Sequence, residues 1–274
     1  KKCGQGVHFA PLGDAEELKQ LAAACRTDPV SGIFTEFPSN PLLKSPDLAG
    51  LAKIAERNDC PLIVDDTVAT FANADLFGTA DAVCSSLTKF FSGAGDVIAG
   101  SVVLNPDSPF YEPLRSSLSA ADDQLWCEDA IVLEQNSRDF VERMRRINQT
   151  AEQLADHLHE HPQITAVHYP KYQTPEAYRA FRKPGGGFGG LMSFEIRDPA
   201  ANAPRVFDAL RVCKGPNLGT NFTLASPYTI LAHSGELDFA ESCGVSRYLI
   251  RVSVGLESCD ELIARFDEAL AAAN

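Results

Sequence analysis

A chain of 274 residues with 45% hydrophobic and 22% charged content has the make-up of a globular protein and can bury a substantial core. A formal net charge of -13 and a pI near 4.9 argue against a nucleic-acid binder, whose footprint is basic, and leave any anionic ligand to local donors. No apolar run is long enough to span a membrane, and eight cysteines without a Cys-x-x-Cys pair or zinc spacing read as reduced, buried thiols of a cytoplasmic protein.

The chain opens Lys1-Lys2-Cys3-Gly4, with no initiator Met and no signal peptide, which suggests a fragment or a processed product. Residues 32–37 form a short apolar run that reads as a strand, closed by the turn cluster Pro38-Ser39-Asn40-Pro41. Ser45-Pro46-Asp47 then predicts a helix start, with Ser45 as N-cap, Pro46 at the first helical position, and a buried stripe of Leu48, Leu51, Ala52, Ile54 and Ala55. Strands follow at 62–64, 82–84 and 97–104, the last with Gly100 inside it. Short apolar runs alternating with a helix predict an α/β sheet buried on both faces. Ligands of such sheets sit at the carboxyl ends of the strands, where Asn40, Asp65 and Ser86 fall.

The character changes near Gln124. Phe140, Val141, Met144, Ile147, Ala151, Leu154 and Leu158 recur at helical spacing and predict a long helix. Beyond it come a strand at 164–169, a Pro-rich loop, the tract Gly185-Gly186-Gly187-Phe188-Gly189-Gly190 and a strand at 191–196. A helix near 203–210, a strand at 248–254 and a helix from Ser258 complete a smaller α+β unit. The glycine tract precedes a strand and not a helix, so it reads as a mobile or tight loop and not as a dinucleotide site. His157, His159 and His161 lie at i and i+2, do not share a helix face, and read as a solvated helix end with no metal site.

The chemistry concentrates in three places. Lys89 stands in Ser85-Ser86-Leu87-Thr88-Lys89-Phe90-Phe91-Ser92-Gly93, directly after a strand-like run. Alone it would be a solvated lysine; among small and hydroxyl residues it is a candidate for a Schiff base, which needs a neutral amine. Asp65 ends the strand at 62–64 and is followed by Asp66 and Thr67. It reads as a helix cap by itself, and as the partner of a protonated pyridine nitrogen when paired with Lys89. Ser86 and Thr88 are turn residues or donor hydroxyls for a phosphate. Lysine, carboxylate and hydroxyls together are what pyridoxal phosphate asks of a protein. Arg251 lies inside Leu249-Ile250-Arg251-Val252-Ser253-Val254, where a cation is costly unless paired. Its partner is a structural carboxylate or the carboxylate of a substrate.

These motifs resemble the cystathionine γ-synthase group of the Cys/Met-metabolism pyridoxal-phosphate enzymes, fold type I. Glu36-Phe37-Pro38-Ser39-Asn40-Pro41, Val64-Asp65-Asp66-Thr67, Ser86-Leu87-Thr88-Lys89 and Arg251-Val252-Ser253-Val254-Gly255-Leu256-Glu257 stand in the family's order. The stretches 134–140 and 219–224 are similar to its fungal branch. The resemblance implies an aspartate-aminotransferase-like α/β large domain, incomplete at its N-terminus, plus a smaller α+β C-terminal domain. It divides the chain at 1–136 and 137–274. It also implies that Lys89 carries the cofactor and shuttles protons, and that Asp65 holds the pyridine nitrogen. Asn40 contacts the ring hydroxyl, Ser86 and Thr88 bind the phosphate, and Thr67 joins the cofactor site. Arg251 binds the substrate α-carboxylate, assisted by Asn217 where the family usually has Ser.

By the same resemblance, an upstream part with a phosphate loop, a ring-stacking tyrosine and a Tyr-x-Arg lies outside this sequence. The expected reaction is γ-replacement on an O-acyl-homoserine with cysteine. Alternatives are a paralogue of secondary metabolism with a carbon nucleophile, and an inactive fragment kept as an assembly partner. The expected partners are amino-acid substrates and further copies of the chain, as a dimer of dimers.

Overall fold

The computed structural model describes residues 6–121 and 124–273. The first half runs α1 (Ala15–Thr27), β1 (Ile33–Glu36), α2 (Leu48–Arg57), β2 (Leu62–Asp65), β3 (Ala82–Ser86), a wide π-helical turn (Leu87–Phe91), β4 (Gly100–Leu104), α3 (Tyr111–Ala120) and α4 (Cys127–Ser137). The second half runs α5 (Phe140–Glu160), β5 (Ile164–His168), α6 (Pro175–Arg179), β6 (Leu191–Ile196), α7 (Pro199–Ala209), β7 (Cys213–Lys214), β8 (Leu224–Pro227), α8 (Tyr228–Ala232), α9 (Leu237–Ser242), β9 (Ile250–Ser253) and α10 (Cys259–Leu270).

The first sheet has the order β1-β2-β3-β4. β1, β2 and β3 are parallel, and β4 runs antiparallel to β3. Glu36 pairs with Asp65 and Asp65 with Cys84, so the three carboxyl ends lie side by side. Leu62, Val64, Ala82 and Val83 are buried as expected of inner strands. The outer strands differ from the expectation of burial on both faces: Phe34 of β1 is 63% exposed, and Val102 and Val103 of β4 are also exposed. Each outer strand has a sheet neighbour on one side only, among the described residues.

α2 buries Leu48, Leu51, Ile54 and Ala55 of the stripe that its spacing predicts, and leaves Ala52 half-buried. Its N-cap is Asp47 and not Ser45. The Asp47 carboxylate accepts the Gly50 N–H at 2.9 Å, three residues ahead, which satisfies an orphan donor of the first turn. Ser45 instead donates its backbone N–H to Thr174 Oγ1 at 2.6 Å, and its own hydroxyl is buried without a partner among the described residues. The predicted strand at 97–104 joins the ladder only from Gly100, because Ala99 bonds back to Leu87 and Thr88.

The second sheet has the order β5-β6-β9-β8-β7, antiparallel except for the β7–β8 pair. α5, α7 and α10 contribute Leu154, Val206 and Phe266 to the core that also holds Phe194 and Val252 of the sheet. The apolar stripe from Phe140 to Leu158 is α5, whereas α1 and α4 were not expected from the sequence pattern. Of the two loop forms that the sequence left open, mobile or tight, the glycine tract before β6 takes the tight one. Gly187 N–H donates to Asn73 Oδ1 and Gly189 N–H to Asn148 Oδ1, and the two asparagines bond each other. The thiols are less uniform than expected: Cys25, Cys60 and Cys243 are buried, but Cys127 and Cys213 are exposed. Among the described residues no helix is long and apolar enough to cross a membrane.

Candidate active site

Lys89 stands in the wide turn after β3 and interrupts it, with φ -83° and ψ -126°. Its Nζ donates to Asn217 Oδ1 at 2.5 Å, across from the second half of the chain. The loop carrying Asn217 presses onto the turn so closely that a Cβ at Gly219 (φ +77°) would lie 2.4 Å from Phe90 N. Only glycine allows that approach. Burial, and next the positive charge of Arg251, lower the Lys89 pKa below the usual lysine value. Both favour the neutral amine that attack on a carbonyl requires.

Asp65, Thr67 and Ser86 form a small network beside it. Asp65 Oδ1 accepts the Thr67 N–H at 2.9 Å, which leaves Oδ2 without a partner among the described residues. Thr67 Oγ1 accepts the Ser86 N–H at 2.7 Å and so ties the loop after β2 to the end of β3. Ser86 Oγ bonds to no described residue. Thr88 differs: its hydroxyl is held by Ala99, accepting the N–H at 2.9 Å and donating to the carbonyl at 3.3 Å. It reaches a phosphate only by giving up the bond that it donates to the Ala99 carbonyl.

Arg251 enters from the middle of β9 and is 4% exposed. Nη1 donates to Asn40 Oδ1 at 3.2 Å, and Nη2 donates to the carbonyls of Pro216 and Asn217 at 2.6 and 3.2 Å. Among the described residues its Nε–H has no partner, and no carboxylate pairs with the guanidinium. Of the two partners that the sequence left open, the structural carboxylate is absent from those residues. The guanidinium carbon lies 4.8 Å from the centre of the Tyr228 ring.

All the expected residues except Thr88 therefore converge where the carboxyl ends of the first sheet meet β9 and the loop before β8. Sequence reasoning missed three supports. Tyr228 gives no local signal, since its contacts are with Arg251 and Asn40, both remote in the chain. Arg143, 3% exposed, donates to the carbonyls of Phe90, Phe91 and Asn136 at 3.0, 2.8 and 3.0 Å and pairs with Asp139 at 2.7 Å. It fixes the backbone immediately after Lys89. Its signal was a cation beside the buried stripe of α5, one residue before Met144. Asp66 is buried and accepts a short hydrogen bond from the Ser85 hydroxyl. Burial pushes its pKa up from 3.8 to about 6, against the bond from Ser85.

The donor set fits pyridoxal phosphate. A lysine amine biased to its neutral form, a carboxylate oxygen left free at a strand end, and an unbonded serine hydroxyl match its aldehyde, ring nitrogen and phosphate.

Comparison with known proteins gives four matches. The family model for Cys/Met metabolism PLP-dependent enzymes matches residues 1–271. A cystathionine gamma-synthase of Neurospora crassa is 47% identical over 268 residues, covering 97% of this chain and 43% of that protein. A cystathionine gamma-synthase-like enzyme of Amanita muscaria is 40% identical over 303 residues, covering 100% of this chain and 50% of its own length. This chain thus spans half or less of those curated relatives. Among solved structures, cystathionine gamma synthase from Xanthomonas oryzae pv. oryzae in complex with cystathionine superposes with a TM-score of 0.85 at 27% identity, over 96% of this chain and 67% of that one.

Proposed function

The chain belongs to the Cys/Met metabolism PLP-dependent enzymes, and on that premise we propose that it carries the lysine-bearing part of a cystathionine γ-synthase-type enzyme. The proposed reaction joins an O-acyl-homoserine and cysteine to give cystathionine and the free carboxylic acid. The C–O bond at Cγ breaks and a C–S bond forms there. The acyl carboxylate leaves with the electron pair, and the thiol proton is released.

The observation that carries this reading is Arg251, a buried guanidinium that, among the described residues, has neutral acceptors only and an unpaired Nε–H, next to Lys89. A buried cation is costly without an anion, and a substrate α-carboxylate supplies one. Asn217 reaches both: its side chain meets Lys89 and its carbonyl meets Arg251. In this reading Arg251 and Asn217 orient the amino acid so that its Cα faces Lys89 Nζ. Lys89 takes the proton from Cα and later one from Cβ, and the same amine returns protons when the thiol has added. Pyridoxal phosphate, when bound, supplies the electron sink for these proton removals. Asp65 Oδ2 would hold its ring nitrogen, Asn40 its ring hydroxyl, and Ser86 its phosphate. Thr67 positions Ser86 through the 2.7 Å bond, and Thr88 joins the phosphate after turning from the Ala99 carbonyl. The same reading carries a division near residues 136–137, a dimer of dimers, and a cytoplasmic setting.

Asn217, in place of the more usual Ser, motivates a second reading with a carbon nucleophile. Product analysis separates the two. The protein is loaded with pyridoxal phosphate and given O-acetyl-homoserine with and without cysteine. Cystathionine formed only with cysteine is the expected result. Release of 2-oxobutanoate regardless of cysteine makes it a lyase. Consumption only with a carbon acid present favours the second reading. No consumption at all leaves an assembly partner.

A further inference from the structure

Tyr228 begins α8, directly after β8, and is half-buried. Its backbone N–H donates to the Leu249 carbonyl at 3.0 Å, two residues before Arg251, so its main chain is locked to the start of β9. The ring lies under the Arg251 guanidinium at 4.8 Å, a distance at which a cation is attracted to an aromatic face. The Asn40 side chain faces the phenol, and its Oδ1 accepts a hydrogen bond from Arg251 Nη1 at 3.2 Å. Arg251 thus touches both Asn40 and Tyr228. Two residues earlier, Ser226 stands opposite Arg251 in the β8–β9 ladder, on the other side of it from Ser193 of β6. The Ser193 hydroxyl donates to the Pro41 carbonyl at 2.9 Å, which shows that this face of the sheet turns toward the Asn40 loop.

Elsewhere a buried arginine is fixed by a carboxylate, as Arg143 is by Asp139. At Arg251 a carboxylate would occupy the charge and leave none for a ligand. A neutral aromatic face orients the guanidinium and leaves its positive charge free. We propose that Tyr228 is a positioning residue that holds Arg251 and Asn40 in the geometry that selects substrates bearing an α-carboxylate. This rests on the reading of Arg251 as the carboxylate site.

The test compares two amines on protein loaded with pyridoxal phosphate. L-2-aminobutyrate carries the carboxylate, and propylamine is the same skeleton without it. Dissociation constants come from the change in the visible absorbance of the bound cofactor, with no turnover needed. Tyr228→Leu removes ring and hydroxyl; it is expected to weaken L-2-aminobutyrate about tenfold and leave propylamine within about twofold. Tyr228→Phe keeps the ring and loses only the hydroxyl that faces Asn40, for an expected weakening of about threefold or less. A merely structural tyrosine would weaken both amines alike or neither, and either result overturns the inference. Thermal midpoints of both variants check the fold, and Tyr228→Phe serves if Tyr228→Leu does not fold. Arg251→Lys separates the two layers. If it keeps the preference for L-2-aminobutyrate, the carboxylate reading falls and this inference with it. If it loses the preference while Tyr228→Leu keeps it, only the role of Tyr228 falls.

Discussion

In the first sheet the site residues stand at the last residues of strands, as Asp65 and Ser86 do, or on the loops that leave them, as Asn40, Thr67 and Lys89 do, whereas in the second Arg251 stands inside β9. Arg251 is flanked in register by Ser193 on β6 and Ser226 on β8, so two ladders fix its backbone. Lys89 has no ladder. Its position depends on side chains that satisfy the loop's carbonyls, chiefly Arg143, and on the close approach of Gly219. Placing a group on a strand makes its position a consequence of the core. Placing it on a loop leaves room for movement and moves the cost of order to a few hydrogen bonds. A lysine proposed to attack, release and return protons suits the loop, and a guanidinium proposed to hold a carboxylate suits the strand.

The sharpest way to break this contrast is Lys89→Ala. Activity should fall on the order of 10³-fold or more, since the group proposed to move every proton is gone. Unfolding free energy, measured in urea, should change by less than about 1 kcal/mol, because the side chain makes one hydrogen bond and rests in a partly cationic setting. A stability loss of several kcal/mol would mean that Lys89 is part of the scaffold, and the division of labour between loop and strand would not hold.

Asp66 offers a second, smaller probe of the loop region. Its carboxyl rises from 3.8 to about 6 on folding, mainly through burial. The folded chain therefore binds this proton more tightly than the unfolded chain does. The favourable contribution is fully present below pH 3.8 and is lost as pH rises through about 6. The gap corresponds to about 3 kcal/mol at full extent. Asp66→Asn keeps a partner for the Ser85 hydroxyl and removes the titration. Urea unfolding at pH 4 and pH 7 should show wild-type stability falling relative to the variant across that interval. Parallel curves would show that Asp66 is not held protonated, and that the join between the loop after β2 and β3 rests on Thr67 and Ser86 alone.

Much of the site and its scaffold is legible in the order of residues alone. Lys89, Asp65 and Arg251 stand out because each is a charged residue where the local pattern calls for small or apolar ones. The strands of the first sheet follow from runs of Val, Ile and Leu, and α5 follows from its apolar stripe. Tyr228 and Arg143 are not legible, for a shared reason. A tyrosine after Ser-Pro and an arginine in a helix rich in charge are ordinary locally. Their roles lie in partners 23 to 188 positions away, namely Arg251 and Asn40 for Tyr228, and the carbonyls of Phe90 and Phe91 for Arg143. Tertiary hydrogen bonds leave no periodicity. The state of Thr88 is hidden likewise, because a strand-side turn does not announce that its hydroxyl will be taken by Ala99.

The smallest effect separates Ser45 from Asp47 at the start of α2, where local pattern and structure disagree. Ser-Pro-Asp favours serine as cap with proline at the first helical position. The Asp47 carboxylate nevertheless makes the capping bond, and the Ser45 hydroxyl is buried with none. Asp47→Ala should cost about 1 kcal/mol in urea unfolding, the usual value for a lost N-cap. Ser45→Ala should cost less than about 0.5 kcal/mol or stabilise slightly, because it deletes a buried hydroxyl that has no partner. If the order reverses, Ser45 caps the helix after all. α2 carries the chain from β1 to β2, so the two substitutions also ask how much of the spacing between Asn40 and Asp65 depends on one helix end. A change in cofactor affinity with Asp47→Ala and none with Ser45→Ala would tie that cap to the site. No change with either would leave the site to the pairing of Glu36 with Asp65 across the parallel strands.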